Sequence, residues 1–324
     1  MRGKILDLLV NSQGHYLSGE SISKSLNITR AAVWKQIQIL KDLGYGIEAQ
    51  TKNGYRLQKI TSELDEWAIA YYLETERLGQ RVILFEELAS TNDFAKENVK
   101  QGEGDGFVVI AKKQTAGRGR LGRKWESSLG GLWLTAALKP NLNLADASKV
   151  TLAAGVAMVT TLQNLFGLKT QIKWPNDVMY EDKKLAGILG EVVGEWNTVQ
   201  TLILGIGLNA NVPAPKMENE TLAASLLDIL GYPVNLNLLA ARFIKQLEEE
   251  VKGLEQGGFE TLRKRWIENA AGLGREVIVY RGTETFRGIF SGITADGELL
   301  LDINGQQMSF VSGEVKLRGI TGYF

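Results

Sequence analysis

Glycines constrain one stretch of this chain, Lys112–Trp125 (KKQTAGRGRLGRKW), to be a loop. Three glycines alternate with three arginines there, and the stretch holds six cations and no acid, although the formal charge of the chain is zero. Glycine lets backbone approach a ligand closely, and arginine offers a planar fork that matches carboxylates and phosphates. The pattern predicts a loop that closes over a small anionic molecule. The alternatives are a solvated basic loop and an RNA-binding arginine–glycine tract, but such tracts are longer and repetitive.

The composition excludes several kinds of chemistry. A length of 324 residues is typical of two or three domains. The chain has no cysteine, which excludes disulfides, zinc–thiolate sites and cysteine nucleophiles. Its single histidine, His15, lies near the N-terminus, so a Ser-His-Asp triad and a histidine-built metal site are not expected. Any catalysis must depend on Lys, Arg, Asp, Glu and backbone groups.

Hydrophobic patterning predicts a cytoplasmic protein without a membrane segment. The N-terminus is cationic and then apolar, but Asp7 interrupts a short run and no small-residue cleavage site follows, so a signal peptide is not expected. The longest later apolar run, residues 152–159, is too short to span a bilayer.

Residues 1–60 predict a winged helix-turn-helix domain. Three short helices are expected within residues 4–43, with Ser18 and Thr29 as N-caps. Two strands follow over residues 45–50 and 54–57, joined by a turn that contains Asn-Gly, a strong hairpin signal. These residues carry nine Lys or Arg against four Asp or Glu, a net charge of +5, which indicates a polyanion as partner.

In such a domain the third helix reads a DNA groove and the hairpin contacts phosphates. The residues predicted to bind DNA are Thr29, Arg30, Trp34, Lys35, Gln38, Lys52 and Arg56. The alternative is a three-helix bundle with a solvated face, but the charge and the hairpin favour DNA binding.

Residues 65–271 predict a mixed α/β domain after a polar linker over 58–66. Strands are expected over 82–86, 107–111, 132–138, 171–174, 186–193 and 198–205. Helices are expected over 92–99, 146–166, 221–230, 236–254 and 259–269. This order predicts a sheet packed by helices on one side.

Residues 272–324 predict a third, small domain. Four short strand-like runs are separated by Arg-Gly, Asp-Gly and Asn-Gly turns. A sheet of four or five strands closes most easily as an SH3-like β-barrel. The predicted fold class of the whole chain is therefore α+β.

Four further clusters could carry chemistry. Ser90-Thr91-Asn92 follows a strand and opens a helix, where hydroxyl, amide and free N–H groups converge, although this is also an ordinary N-cap. Lys173-Trp174-Pro175-Asn176-Asp177 places an acid at the end of a strand, where α/β sheets bind ligands. Asp182–Gly187 leaves a lysine at the start of the next strand, and Gly205–Asn209 contains a Gly-x-Gly that is weak evidence alone.

Together, the motifs STN, QTAGRGRLGRKW, KWPNDV, KKLAGIL and GIGLN, which follow a winged helix in this order, resemble those of the bifunctional biotin protein ligases that also repress the biotin operon. The resemblance covers essentially the whole chain. It implies a fold of the biotin/lipoate ligase type, with an ATP-dependent synthesis of biotinyl-5′-AMP. It further implies transfer of biotin to a lysine of the biotin carboxyl carrier domain of a carboxylase.

The resemblance also implies the site residues. Lys184, Arg118 and Arg120 are implied to be catalytic because they can neutralise a carboxylate and an α-phosphate that repel each other. The implied biotin site comprises Ser90, Thr91, Asn92, Gln114, Gly117, Arg118, Asp177, Lys184, Gly187, Gly205 and Gly207. Asp177 would accept a ureido N–H, with Ser90, Thr91 and Gln114 completing the hydrogen bonds.

The implied ATP site comprises Arg118, Arg120, Arg123, Trp125, Lys173, Asn176, Lys184 and Asn209, with Trp125 stacking on adenine. Mg²⁺ would ride mainly on the ATP phosphates, since no acidic cluster suggests a dedicated site. Biotinyl-AMP would also act as corepressor, so that the liganded chain forms a homodimer that binds operator DNA.

Leu121 departs from the family pattern, because many repressor-type members have a fourth arginine there. An aliphatic residue suggests apolar closure over the ligand and not another phosphate contact. Two other functions stay open from the sequence: a transcription factor that senses a metabolite without catalysis, and a lipoate-type ligase. Lys184 and the intact arginine pattern argue against the first.

Overall fold

The chain forms two compact units in a computed structural model. The structure describes residues 1–102, 104–143, 146–194, 201–214, 223–281 and 283–311, and the backbone of 315–319. The first unit comprises Met1–Tyr72 with Asn235–Leu238, and the second comprises Leu73–Val234 with Leu239–Phe324. The domain boundaries predicted at residues 60, 65 and 272 stay predictions.

The first unit is a helix-turn-helix followed by a hairpin. Its elements are α1 (Arg2–Asn11), α2 (Gly19–Leu26), α3 (Arg30–Asp42), β1 (Gly46–Gln50), β2 (Gly54–Lys59) and α4 (Glu66–Tyr72). The predicted caps are confirmed, since the hydroxyls of Ser18 and Thr29 accept hydrogen bonds from Ser21 N at 3.0 Å and Ala32 N at 3.1 Å. Apolar residues of α1 to α3 and β1 form one buried core.

The hairpin turn depends on glycine for a reason that the sequence alone does not reveal. β1 and β2 pair antiparallel, and positive φ angles occur at Lys52 (72°) and Gly54 (109°). The backbone of Leu17 pairs with Tyr55, so a Cβ at Gly54 would lie 2.1 Å from the Leu17 carbonyl oxygen. Gly54 therefore permits this close approach of two backbones.

Helix α4 was not expected from the sequence, which predicted a polar linker ending at residue 66. Asp65 caps it by accepting hydrogen bonds from Trp67 N at 3.0 Å and Ala68 N at 3.1 Å. The buried Asn237 accepts from Asp65 N at 2.9 Å and donates to the carbonyls of Thr61 and Glu63. The sequence predicted a linker up to residue 66 because Asn237, which holds residues 61–65 in place, lies 172 residues from Asp65 along the chain.

The second unit is built on a seven-stranded mixed sheet. Its strands are β3 (Arg81–Leu88), β4 (Phe107–Gln114), β5 (Leu132–Leu138), β6 (Gln171–Lys173), β7 (Asp177–Tyr180), β8 (Lys183–Val193) and β9 (Thr201–Leu208). The strand order is β3-β4-β5-β9-β8-β7-β6, and among these strands only β3 and β4 pair in parallel. Its helices are α5 (Thr91–Lys100), α6 (Ala147–Phe166), α7 (Leu226–Leu230), α8 (Leu236–Glu255, of which 236–238 belong to the first unit) and α9 (Phe259–Glu268).

Helices pack on both faces of this sheet, so the prediction of helices on one side is wrong. Lys96 of α5 pairs with Glu191 of β8 on one face. A Cβ at the next residue, Gly190, would lie 2.6 Å from Thr151 Oγ1 of α6. Successive residues of a strand point to opposite faces, so α5 and α6 lie on opposite sides. The long apolar strands β4, β5 and β9 are buried on both faces, which one-sided packing would not require.

Several elements differ from the sequence predictions in their bounds, and β8 for example begins at Lys183 where a start at 186 was expected. The helix predicted over 221–230 begins at Leu226, because Ser225 caps it by accepting from Asp228 N at 3.1 Å. The strand predicted from 198 is described over Thr201–Leu208, with 198–200 outside the described residues. Asp177–Tyr180 forms a strand that the sequence did not indicate.

The C-terminal part of the second unit is a five-stranded antiparallel sheet. It comprises β10 (Glu276–Arg281), β11 (Glu284–Ile293), β12 (Leu299–Ile303), β13 (Gln306–Phe310) and β14 (Val315–Gly319), in the order β13-β12-β11-β10-β14. The prediction of four or five short strands here is confirmed. Across the residues that the structure describes, no helix is long and apolar enough to cross a membrane.

Candidate functional site

Three glycines make a flat patch on one face of β8 and β9, which we call the glycine floor (Gly187, Gly205 and Gly207). Gly187 and Gly207 pair directly across the two strands, and Gly205 lies two residues earlier on the same face. A Cβ at Gly205 would lie 2.2 Å from Asn92 Oδ1, and one at Gly207 would lie 2.4 Å from Trp125 Nε1. The floor therefore has no room for side chains while Asn92 and Trp125 cover it.

The glycine–arginine loop brings Trp125 onto this floor. After β4 the chain forms a single 3-10 turn at Arg120–Gly122 and returns, so that Trp125 N donates to the Gly117 carbonyl at 2.9 Å. A Cβ at Gly117 would lie 2.5 Å from the Trp125 carbonyl oxygen, so glycine is required there. Leu121 has a φ of 57° and is 70% exposed, and the apolar closure over a ligand expected of it stays a prediction.

Opposite charges meet beside the Trp125 ring. Lys184 Nζ lies 2.6 Å from Asp177 Oδ1 and 5.0 Å from the centre of the Trp125 ring. Arg120 Nη1 donates to Asn176 Oδ1 at 3.2 Å. Burial lowers the pKa of Arg120, and Arg123 acts in the same direction while Asp177 opposes it. A partly desolvated pair of cations next to one carboxylate is suited to receive further negative charge.

The start of α5 forms a buried polar cluster at the other end of the floor. Ser90 caps the helix, and Thr91 donates its backbone N–H to Gln114 Oε1 at 2.8 Å. Asn92 Nδ2 donates to Glu191 Oε2 at 2.7 Å. Ser90, Thr91 and Asn92 are all buried. The Ser90 hydroxyl accepts from Asp93 N at 3.3 Å, which confirms the N-cap, and the Asn92 side chain lies beside Gly205.

Four predicted site residues lie at the margins of these two clusters. The Arg118 guanidinium pairs with Asp93 in the first turn of α5, and Arg123 is exposed. Lys173 is buried next to Asp177 in the β6–β7 pair. Asn209 is buried, and its Nδ2 donates to the Ala224 carbonyl at 3.0 Å. The structure thus brings Lys184, Asp177 and Trp125 together, while Arg118 pairs with Asp93 and Arg123 is exposed.

The residues predicted to bind DNA lie on one helix and one hairpin of the first unit. On α3, Arg30, Trp34 and Lys35 are exposed, with Trp34 58% accessible, and Gln38 is half-buried. Thr29 uses its hydroxyl as the helix cap. Lys52 is exposed at the hairpin turn, but Arg56 pairs with Glu48 at 2.6 Å and lies 4.8 Å from the Tyr16 ring centre.

Three family models match consecutive parts of the chain. They are an HTH domain over residues 2–56, the biotin/lipoate A/B protein ligase family over 84–209, and the biotin protein ligase C terminal domain over 272–318. The bifunctional ligase/repressor BirA of Bacillus subtilis is 34% identical over 320 residues, covering 98% of this chain and 98% of that protein. The chain belongs to the bifunctional biotin ligase/repressor family.

Two further relatives support the assignment to this ligase/repressor family. The bifunctional ligase/repressor BirA of Escherichia coli is 32% identical, with 97% of this chain and 96% of that protein covered. The structure of a biotin protein ligase from Aquifex aeolicus in complex with biotin and ATP superposes with a TM-score of 0.66 at 29% identity. It covers 74% of this chain and 99% of that one.

Sequence reasoning missed three polar residues at the site of this ligase/repressor. Ser127 accepts from Gln114 Nε2 at 2.9 Å, Thr135 contacts Thr91 and Asn92, and Glu191 pairs with Lys96 and Asn92. Thr135 is the single polar residue of an otherwise apolar strand, LWLTAAL, and that signal could have found it. Within the described residues, no group of three or more His, Cys, Asp or Glu comes together to hold a metal ion.

Proposed function

We propose that this chain activates biotin with ATP to biotinyl-5′-AMP and pyrophosphate, and then transfers biotin to a lysine of a biotin carboxyl carrier domain. The observation that carries the proposal is the convergence of Lys184, Asp177 and Arg120 beside Trp125 at one end of the glycine floor. A buried polar cluster occupies the other end. Biotin has the matching asymmetry, with a polar ring at one end and a carboxylate at the other.

The first half-reaction joins two anions that repel each other, and the cations of the site can neutralise them. A carboxylate oxygen of biotin attacks the α-phosphorus of ATP, an oxygen–phosphorus bond forms, and the bond to the pyrophosphate leaving group breaks. Lys184 lies between Asp177 and the Trp125 ring, from where its ammonium can contact both the carboxylate and the α-phosphate. Arg120 adds a second cation, and such groups stabilise charge in phosphoryl transfer without chemical change of their own.

The second half-reaction uses the same lysine. The neutral amine of a carrier lysine attacks the acyl carbon of biotinyl-AMP, AMP leaves with the bonding electron pair, and the new amide releases one proton. Lys184 remains next to the acyl phosphate, where it stabilises the departing phosphate charge.

The ion pair with Lys184 supports a role for Asp177 that differs from the ureido contact expected from the sequence. Biotin carries its ureido ring and its carboxylate at opposite ends, so a residue that pairs with Lys184 fits the carboxylate end. We therefore assign Asp177 to orienting the Lys184 ammonium. We assign the ureido hydrogen bonds to Ser90, Thr91 and Gln114, which belong to the polar cluster at the start of α5.

The loop supplies the remaining contacts. Trp125 offers its indole for stacking on adenine, and Gly117 lets the loop backbone approach the valeryl chain. Arg118, now paired with the exposed Asp93, is free to exchange that partner for the adenylate phosphate, because exposed ion pairs are worth little. Mg²⁺ would be bound through the phosphates of ATP and would offset charge on the leaving pyrophosphate.

The first unit supports a second role as a transcriptional repressor. We assign α3 to a DNA major groove and the β1–β2 hairpin to the phosphates, with Trp34, Lys35 and Lys52 exposed for contact. Biotinyl-AMP is the corepressor: the liganded chain dimerises and binds two operator half-sites in the cytoplasm. Sedimentation velocity with and without biotin plus ATP tests this. An unchanged mass in both states contradicts ligand-driven dimerisation.

A titration with product analysis tests the enzymatic proposal. The protein is incubated with ATP, Mg²⁺ and either biotin or lipoate, and products are identified by mass spectrometry. We expect biotinyl-AMP with biotin and no adenylate with lipoate. Lipoyl-AMP as the main product would identify a lipoate-type ligase, and binding of biotin with no adenylate would identify a sensor without catalysis.

A further inference from the structure

A row of hydrogen-bonded side chains runs from Glu191 to Gln114 beside the glycine floor. Asn92 Nδ2 contacts Glu191 Oε2 at 2.7 Å, and Asn92 Oδ1 contacts Thr135 Oγ1 at 2.6 Å. Thr135 Oγ1 contacts Thr91 Oγ1 at 2.7 Å, and Thr91 Oγ1 contacts Gln114 Oε1 at 3.0 Å. Thr135 is completely buried, so solvent does not complete its hydrogen bonds.

The two ends of this row fix the direction of its hydrogen bonds. The carboxylate of Glu191, held by Lys96, only accepts, so Asn92 turns its amide nitrogen to it and its oxygen to Thr135. Thr135 must then donate its single proton to Asn92. At the other end, the backbone N–H of Thr91 donates to Gln114 Oε1 at 2.8 Å, which makes that oxygen an acceptor too.

The row contains one proton too few. Three oxygen–oxygen contacts link Asn92, Thr135, Thr91 and Gln114, but only the two threonine hydroxyls supply protons. Thr135 uses its proton on Asn92, and Thr91 gives its own to Thr135, since that contact of 2.7 Å is shorter than the one of 3.0 Å to Gln114. Lone pairs of Thr91 Oγ1 and Gln114 Oε1 are therefore left facing each other.

We propose that Thr135 and Glu191 are positioning residues that commit Thr91 and Gln114 to accept an N–H group from the ligand. In this proposal neither residue touches the ligand. Glu191 orients the Asn92 amide so that its oxygen faces Thr135, and Thr135, which donates to that oxygen, accepts the proton of the Thr91 hydroxyl. A cyclic urea satisfies the pair with one of its two N–H groups, whereas a ring oxygen at the same place adds a third acceptor. This inference rests on the proposed function, because it takes the ureido ring of biotin as the group bound there.

The test compares biotin with its two cyclic carbamate analogues, in which one or the other ureido N–H is replaced by oxygen. The readout is the apparent KM of each compound in ligand-dependent ATP–pyrophosphate exchange. For the wild type we expect one of the analogues to be weaker than biotin by about 10- to 100-fold, as follows from leaving a buried acceptor without its donor.

The discriminating variant is Thr135→Val, with Thr135→Ser as the matched control that keeps the hydroxyl. Without the Thr135 acceptor, the Thr91 proton turns to Gln114, so the preference for biotin over that analogue should fall by at least about 5-fold. The KM for ATP should not change, and Thr135→Ser should keep the wild-type preference. If Thr135 had only a structural role, Thr135→Val would raise the apparent KM of biotin and of both analogues by the same factor, and that result would overturn the proposal.

A second variant covers the case in which Thr135→Val does not fold. Glu191→Gln keeps the shape of the side chain but no longer forces the orientation of the Asn92 amide, so the preference for biotin over the analogue should fall. The melting temperature of the variant shows whether it is folded. An unchanged preference in Glu191→Gln would count against the inference. Absence of biotin-dependent exchange in the wild type would contradict the proposed function itself, which separates the two failures.

Discussion

The ammonium group of Lys184 lies 2.6 Å from a carboxylate oxygen of Asp177 and 5.0 Å from the centre of the Trp125 ring. The lysine side chain is 16% exposed and the aspartate side chain 20%. A cation held by one carboxylate and one aromatic face has its remaining N–H donors available. In the proposed reaction, this relationship would let one lysine serve both half-reactions from the same position.

Replacing Lys184 with alanine should abolish most of the adenylation activity. Loss of a charge that acts at the developing phosphate should lower the rate of biotinyl-AMP formation by at least about 100-fold. Biotin affinity, measured by calorimetry, should change much less, because the ureido end of the site is untouched. Lys183→Ala is the matched control, since Lys183 is the exposed neighbour on the same strand. Equal losses in the two variants would refute the assignment of Lys184.

Replacing Arg118 with glycine should release the reactive intermediate. In the proposed function Arg118 exchanges Asp93 for the adenylate phosphate. Without Arg118, biotinyl-AMP should dissociate sooner, and the released intermediate should biotinylate bystander proteins. The measurement is blotting for biotin on serum albumin added to the reaction. Lys124→Gly is the control, because Lys124 is an exposed cation of the same loop. Labelling that stays restricted to the carrier domain in Arg118→Gly would count against a retaining role.

Replacing Gly207 with alanine should displace Trp125. The new Cβ would meet Trp125 Nε1 at 2.4 Å, while the φ angle at Gly207 is not in the left-handed region, so the strand itself tolerates alanine. We expect the KM for ATP to rise about 10-fold, in line with the loss of one stacked aromatic contact. Trp125→Ala should produce a similar rise, and the double variant should be no worse than Trp125→Ala. Additive effects would show that the two residues act separately.

Replacing Glu48 with glutamine should strengthen DNA binding. Glu48 holds Arg56 at 2.6 Å, and removing its charge frees the guanidinium for a phosphate. Hydrogen bonds from Tyr16 and Arg56 hold the pKa of Glu48 below its ordinary value, so the pair with Arg56 is fully present at neutral pH and is lost only as the pH falls through that lowered pKa. At neutral pH the variant should bind DNA about 3- to 10-fold more tightly.

The salt dependence provides the check on that interpretation. A further phosphate contact should steepen the slope of log K against log salt by about 0.9. Fluorescence anisotropy with a labelled duplex at four salt concentrations measures it, with Glu20→Gln as control, since Glu20 pairs with Lys24 on α2. An unchanged slope would mean that Arg56 does not reach the DNA.

The sequence predicts those parts of the molecule whose signals are local. Ser18, Thr29 and Ser90 are helix caps because a hydroxyl needs only the next turn of its own helix to be satisfied. The strand Leu132–Leu138 was predicted with its observed bounds because a run of apolar residues between glycine and proline leaves few alternatives.

Features that depend on distant residues could not be predicted. Asn237 orders residues 61–65 across more than 170 positions, and no local pattern indicates that partner. The contact of Asp177 with Lys184 follows from the short hairpin of β7 and β8, a strand pair that the sequence did not reveal. The proposed role of Thr135 depends on its hydrogen bonds with Thr91 and Asn92, which lie on a helix packed against the face of the sheet.

Biotin-dependent exchange of radiolabelled pyrophosphate into ATP tests the central claim most directly, because it requires only the first half-reaction and no carrier protein. With ATP, Mg²⁺ and saturating biotin, the wild type should return label to ATP, and omission of biotin or substitution of Lys184 by alanine should remove that exchange. No exchange by the wild-type chain at saturating biotin would contradict the account.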